Sequence, residues 1–212
     1  MKIIVFGASG KCGAHFVRLA ASHGHEVTAF VREGTAFDAP ANVRVIRGDV
    51  LSRDDVAAAI AGHDAVASGL GMRYAHPWAK RDSPDDFTSH ATANIVAAMQ
   101  AKGVRRLVFV SAAGVGDSRA AMNWPMRAML ATSNVGVAYA DLERAEKILL
   151  ESGLDFQAVR PTTLTNGSSG NVGVTGVYGT FDRIPRALVA TFMLESIEAA
   201  SIEDRTPMIT LR

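Results

Sequence analysis

A single cysteine, Cys12, stands among the 212 residues, which excludes an internal disulfide framework and a zinc site built from cysteines alone. Net charge is nearly absent: 22 Lys+Arg face 21 Asp+Glu, for a formal +1. Such a balance gives no broad electrostatic footprint for nucleic acid. Long hydrophobic runs are missing too. The longest stretch dominated by apolar side chains, Ala187 to Leu194, covers eight residues, far short of the roughly 20 that span a bilayer. The opening Met1-Lys2-Ile3-Ile4-Val5-Phe6-Gly7 puts four large apolar residues before a glycine, less than the roughly 7–15 of a secretory signal. The six histidines show no metal-ligand spacing, so no metal is expected. With 48% hydrophobic and 20% charged residues, the chain reads as an ordinary cytoplasmic protein with neither nucleic-acid nor membrane partners. Its length suits one domain over residues 1–212.

What is present is alternation. Ile3 to Phe6, Val27 to Val31, Val43 to Ile46, Asp64 to Ala67, Leu107 to Val110 and Phe156 to Val159 read as short buried strands. Helical patterns separate them: Lys11 to Ser22, Arg53 to Ile60 behind a Ser52 cap, a long helix from Asp85 or Asp86 to Gly103, and Asp141 to Glu151. A last helix, Pro185 to Glu198, and a closing strand, Met208 to Leu211, complete the order. Strands alternating with helices predict an α/β fold with a doubly wound parallel sheet. Two stretches break the alternation, 112–138 and 166–182. Both follow strand ends, the edge where open α/β sheets bind ligands, and both are expected as substrate-side loops.

Gly7-Ala8-Ser9-Gly10-Lys11-Cys12-Gly13 follows the first strand and opens the first helix. It is a G-x-x-G-x-x-G variant of the dinucleotide fingerprint. The first glycine permits a tight turn, the second lets backbone approach a pyrophosphate, and the third lets helix and strand pack closely. The helix N-H groups then face the anion. Sites selective for NAD place a carboxylate at the end of the second strand. This chain has Phe30-Val31-Arg32 there, and a guanidinium suits the 2′-phosphate of NADP(H). Thr35 adds a hydroxyl and Lys11 a charge. Asp49 and Val50, after the third strand, are placed to meet the adenine, with a turn or cap role the alternative for Asp49. Ser68-Gly69-Leu70-Gly71 ends the fourth strand, where glycines let a cofactor lie against backbone.

The run Asn94-Ile-Val-Ala-Ala-Met-Gln-Ala-Lys-Gly-Val-Arg-Arg-Leu-Val-Phe-Val-Ser111, then Glu151-Ser152-Gly153-Leu154-Asp155-Phe156, Val159-Arg160-Pro161 and Leu164-Thr165-Asn166-Gly167, resembles the atypical short-chain dehydrogenase/reductases of the NmrA-like and biliverdin reductase B/flavin reductase branch. The resemblance covers most of the chain. It implies a Rossmann fold, NADP(H), and in some members a nucleotide that is sensed rather than turned over. It places Ser111 at the family's catalytic serine and sets Arg160, Pro161, Thr162 and Thr163 beside the nicotinamide.

One departure decides between chemistries. Ordinary short-chain dehydrogenases carry Tyr-x-x-x-Lys on the helix after strand five, where the cation makes tyrosinate accessible. Here the pattern is Tyr139-Ala140-Asp141-Leu142-Glu143, and a carboxylate disfavours tyrosinate. Tyr139 therefore reads first as structural and second as catalytic. His76, the imidazole nearest the expected mouth, is a second candidate for proton delivery. Cys12 is expected to pack. Alcohol oxidation lacks an evident base. Reduction of a flavin, quinone or enone-like acceptor demands less, because the acceptor spreads the incoming charge. Met122, Trp124, Pro125, Met126, Met129 and Leu130 would wall such an acceptor on one side, with Arg73, Tyr74, His76, Trp78 and Lys80 opposite. The competing reading is a non-catalytic NADP(H) sensor of the NmrA type. A monomer or a homodimer suits either.

Overall fold

The run Ile3-Ile4-Val5-Phe6 has no polar side to turn toward water, so it forms β1 (Lys2–Phe6) at the heart of a sheet covered on both faces. Its residues alternate between two cores: Ile3 and Val5 face one, Ile4 and Phe6 the other. A computed structural model describes residues 1–72, 76, 78, 79 and 83–212.

The first half runs α1 (Lys11–Ser22), β2 (Glu26–Val31), β3 (Val43–Arg47), α2 (Arg53–Ile60), β4 (Ala65–Ser68), α3 (Phe87–Lys102) and β5 (Arg106–Val110). The second half begins with a 3-10 turn (Gly116–Ala121), then α4 (Trp124–Thr132), α5 (Asn134–Glu151), β6 (Asp155–Pro161), β7 (Thr163–Thr165), β8 (Val172–Val174), β9 (Arg183–Pro185), α6 (Arg186–Glu198) and β10 (Met208–Leu211). The main sheet has eight strands in the order β3-β2-β1-β4-β5-β6-β10-β8. All its pairs are parallel except β10 with β8. This is the expected doubly wound α/β fold. Phe16, Val17 and Ala20 of α1 share one core with Leu188, Val189 and Met193 of α6. Val56 and Ile60 of α2, Ile95 and Met99 of α3 and Leu149 of α5 fill the other. No helix among the described residues is long and apolar enough to cross a membrane.

Local chemistry fixes the helix ends. Ser52 caps α2 by accepting from the Asp55 amide at 3.3 Å. Gly103 takes φ +72° to close α3. The start of α3 differs from expectation in its cap. Asp86 occupies the N-cap position without a side-chain bond. Asp141 reaches across from α5 instead, accepting from the Thr88 amide (2.6 Å), the Ser89 amide (3.2 Å) and the Ser89 hydroxyl (2.6 Å). A fully buried carboxylate thus satisfies the helix N-H groups of its neighbour and meets their dipole.

Residues 112–138 are not the open loop expected from the sequence. They build the 3-10 turn, α4 and the first turn of α5, which starts at Asn134 rather than Asp141 and so carries Tyr139. Gly136 permits the join: a Cβ there would sit 2.1 Å from the Leu130 carbonyl oxygen. Met122, Leu130 and Val135 close a third core with Ala113, Tyr178 and Met208, at the edge where β5 and β6 end. From the 166–182 stretch, Tyr178 straps onto this core: its amide donates to Ala121 O (3.0 Å) and its carbonyl accepts from the Asn123 amide (3.2 Å).

Candidate nucleotide-binding and active site

The three glycines of the first loop divide their work as the spacing requires. Gly7 turns at φ +72°, and a Cβ there would lie 2.7 Å from the Gly69 carbonyl carbon. At Gly13 it would lie 2.2 Å from the Gly7 oxygen. Those two hold β1, α1 and the end of β4 in backbone contact. Gly10 is different. Its Cβ position lies 3.1 Å from the Gly7 oxygen and otherwise opens outward. Ser9, Gly10 and Lys11 are exposed there. No side chain caps α1, whose N-cap is Gly10, so the helix N-terminus presents amides and a positive dipole end to an anion. Burial pushes the Cys12 thiol up to about 11, against a weaker pull from Arg186. That suits packing and not nucleophilic work.

Gly69, Leu70 and exposed Gly71 continue the floor of the cradle beyond β4. Ser68, just before them, has a buried hydroxyl with no hydrogen-bond partner. At the other end, β2 stops at exposed Arg32. The Thr35 amide donates to the Arg32 carbonyl at 3.1 Å, closing a turn on which Arg47 Nη1 clamps the Thr35 carbonyl at 3.0 Å. A cavity of about 790 Å³ opens here, lined by Arg32, Arg44, Arg47, Asp49 and Asp55 among others. Asp49 Oδ1 accepts from the Leu51 amide (2.9 Å) and the Asp49 amide donates to Asp55 (2.8 Å), so Asp49 does shape the turn while remaining exposed beside the cavity. Val50 is buried, and its carbonyl accepts from Asn94 Nδ2 at 3.1 Å. A glycine-floored cradle, an open helix N-terminus and a polar cavity, where Arg32, Arg44 and Arg47 face Glu33, Asp49 and Asp55, lie along one sheet edge and fit an extended dinucleotide diphosphate.

At the end of β6, the expected nicotinamide side, the Arg160 side chain faces inward. Its Nε and Nη2 donate to Glu146 Oε1 and Oε2 (3.0 and 2.6 Å), and its Nη1 donates to Asp117 Oδ1 (2.6 Å). Burial works against that charge, but the two carboxylates outweigh it and hold the guanidinium more firmly protonated than usual. The Arg160 hydrogen bond in turn draws the Asp117 carboxyl below its ordinary range. Thr162 is buried as well, its hydroxyl donating to Thr210 (3.1 Å) and its amide to the Ile209 carbonyl (2.9 Å). Pro161 is buried, with its carbonyl accepting from the Ala113 amide at 2.9 Å. Thr163 is the exposed member of the group.

Ser111 ends the fifth-strand segment as expected, and its hydroxyl donates to Glu146 Oε1 at 2.6 Å. Ser111, Glu146 and Arg160 are each about 5% exposed or less. Glu143 pairs with Arg119 at 3.7 Å, and Lys147 with Glu151 at 4.0 Å, both at the surface. Tyr139 is half-buried and packs against the third core, which holds Tyr178. The two expected walls meet: Trp78 Nε1 donates to the Thr132 carbonyl at 3.0 Å. His76 is exposed, while Arg73, Tyr74 and Lys80 lie outside the described residues. The sequence reading missed Arg47, Asn94, Asp117, Glu146 and Tyr178. A lone cation inside the apolar strand Phe156 to Pro161 was the signal that a buried carboxylate partner existed.

Fold and site together define a Rossmann nucleotide-binding protein. The chain belongs to the NAD(P)H-binding family, which it matches over residues 7–200. An uncharacterized chloroplastic protein of Arabidopsis thaliana is 31% identical over 205 residues, covering 92% of this chain and 71% of the relative. A 2-alkyl-3-oxoalkanoate reductase of Stenotrophomonas maltophilia is 36% identical over 115 residues, but that match spans 54% of this chain and 34% of the enzyme. Among solved structures, the anaerobillin reductase ChuY of Escherichia coli O157:H7 superposes with a TM-score of 0.79 at 24% identity, covering 99% of this chain and 96% of that one. A Veillonella parvula short-chain dehydrogenase/reductase in complex with NADP gives 0.78 at 18% identity, covering 98% and 93%. The resemblance to atypical short-chain dehydrogenase/reductases read from the motifs is borne out at the level of the NAD(P)H-binding family and its fold.

Proposed function

We propose that the protein is an NADP(H)-dependent reductase acting on a small conjugated acceptor of the flavin, quinone or enone class. Exposed Arg32 at the end of β2, with Arg47 behind it, favours the 2′-phosphorylated cofactor. Gly7, Ser9, Gly10, Lys11 and Gly13 would hold the diphosphate, and Gly69 to Gly71 would support the nicotinamide half. Held there, the reduced form, NADPH, would be the source of the hydride.

The observation that carries the choice of chemistry is the bond from Ser111 to Glu146, 2.6 Å long and buried. Its proton is committed inward, and Glu146 is itself clamped by Arg160. With Glu143 four residues after Tyr139, none of the described residues at the β5–β6 edge forms the tyrosine–lysine pair that serves alcohol oxidation. An acceptor that delocalises the added charge needs no such pair. The exposed rim suits a flat, apolar molecule. Asn123 Nδ2 donates to Thr180 Oγ1 at 2.9 Å, bringing together the segments of their exposed neighbours Trp124 and Phe181.

The test is cofactor oxidation against a panel of flavins, quinones and enones, with NADPH and NADH titrated in parallel. We expect NADPH to bind more tightly and Arg32→Ala to remove about tenfold to a hundredfold of that affinity, the worth of one charge-assisted bond. Equal affinity for NADPH and NADH in the unmodified protein overturns the cofactor assignment. Tight NADPH binding without turnover of any acceptor moves the reading to a sensor.

A further inference from the structure

Arg32 stands on an exposed turn, and the side chain that ties this turn to the sheet is Arg47. β2 ends at Val31. The chain then reverses over Arg32 to Thr35, where the Thr35 amide donates to the Arg32 carbonyl at 3.1 Å and Gly34 takes φ +71°. In the parallel register of β2 and β3, Val31 lies opposite Arg47, and the Gly48 amide donates to the Val31 carbonyl at 3.1 Å. Arg32 and Arg47 therefore leave neighbouring strands side by side, and both line the cavity. From β3, Arg47 Nη1 donates to the Thr35 carbonyl at 3.0 Å, holding the turn by its far end.

The cavity does not select an anion by field alone. Arg32, Arg44 and Arg47 face Glu33, Asp49 and Asp55, so the charges balance. They differ in how they are engaged. Asp49 and Asp55 each give an oxygen to a backbone amide, at 2.9 and 2.8 Å. Among the described residues, none of the three guanidiniums is ion-paired. Arg44 stands apart from the other two, roughly 10 Å back along β3 at about 3.3 Å per residue. Glu33 directly follows Arg32, and a carboxylate at this strand end favours the free ribose hydroxyls of the unphosphorylated cofactor. Discrimination between the two cofactors thus depends on where the guanidiniums are held.

We propose that Arg47 is the specificity-determining residue of the nucleotide site. One N–H fixes the turn that presents Arg32, and the rest of the fork donates to the same 2′-phosphate. The inference rests on the NADP(H) reading above and adds the means by which the site prefers that form. A guanidinium carries several N–H donors in one plane, so it serves a carbonyl and a phosphate oxygen together; an ammonium is a compact point charge without that fork. Toward Arg32, Arg47 is a positioning residue; toward the phosphate it is a ligand. Two guanidiniums on one dianion then outweigh the neighbouring Glu33.

The probes are adenosine 2′,5′-bisphosphate and adenosine 5′-monophosphate, which differ by the 2′-phosphate alone, each titrated calorimetrically. We expect the unmodified protein to favour the bisphosphate. Arg47→Ala should weaken the bisphosphate about tenfold to a hundredfold and leave the monophosphate within about twofold. Arg47→Lys should recover only part of that loss, since the charge returns without the fork. Arg44→Ala should cost the bisphosphate less than about threefold, because its charge lies about a Debye length away. An Arg44→Ala loss as large as that of Arg47→Ala makes the effect one of general field and overturns the inference. A parallel loss of both probes in Arg47→Ala marks a structural role and overturns it too. A bisphosphate preference that survives Arg47→Ala overturns the inference and leaves the NADP(H) reading standing. An unmodified protein that does not distinguish the two probes overturns that reading and the inference with it.

Discussion

Replacing Arg160 with methionine tests whether the inward-facing guanidinium is the brace of the catalytic edge. The side chain is 4% exposed and its main partner, Glu146, 3%; three bonds of 2.6–3.0 Å join Arg160 to Glu146 and Asp117. Asp117 is a solvent-facing partner, its side chain 83% exposed, and contributes little. Glu146 decides the magnitude. Methionine fills the volume but strands a buried carboxylate, which costs about 3–5 kcal/mol when one member of such a pair is removed. For a 212-residue chain, the average unfolding entropy per residue converts this to a drop of about 7–11 °C in Tm. Urea unfolding, followed by far-ultraviolet circular dichroism, gives the free energy directly. The double variant Arg160→Met/Glu146→Leu should regain most of the loss, because replacing a whole buried pair with apolar side chains is often close to neutral. The reasoning is refuted if Arg160→Met loses less than about 1 kcal/mol, or if the double variant is no more stable than the single one.

The other expectations are narrower. Gly13→Ala should leave little folded protein, since its Cβ would stand 2.2 Å from the Gly7 oxygen; a soluble Gly13→Ala protein with wild-type Tm would contradict that packing. Gly10→Val should fold with its spectrum retained and lose NADPH binding, because the side chain would point into the open cradle; calorimetric titration with NADPH decides it. Cys12 should react about a hundredfold more slowly with iodoacetamide in the native protein than after unfolding, since its thiol is raised to about 11 and the thiolate fraction falls tenfold per unit; comparable rates would count against the buried setting.

The sequence made the nucleotide half legible because its signals are local. Apolar four-residue strands, the Gly7–Gly13 spacing and the Gly103 helix stop each depend on neighbours within a few positions. The acceptor half depends on partners far apart. Residues 134–138 read as part of a loop because the apolar residues there face a private core with Met122 and Tyr178, not the sheet, so no core-facing helical stripe shows in the sequence. Arg160 was assigned to the cofactor because nothing in its own strand reveals Glu146, which lies 14 residues earlier on α5. Asp141 looked like the start of its own helix, whereas it caps α3, 53 residues before it at Thr88.

The packing of α1 against α6 joins the two ends of the chain around the diphosphate site. Phe16 and Val17 find their cover in Leu188, Val189 and Met193, and His25 is tied to Glu198 at 2.8 Å. The order of synthesis therefore delays the cradle. The glycine loop leaves the ribosome well before α6, and the helix that carries it stays uncovered on one face until α6 has emerged. A nucleotide that binds only the finished cradle draws the late arrival into place and holds it there by mass action.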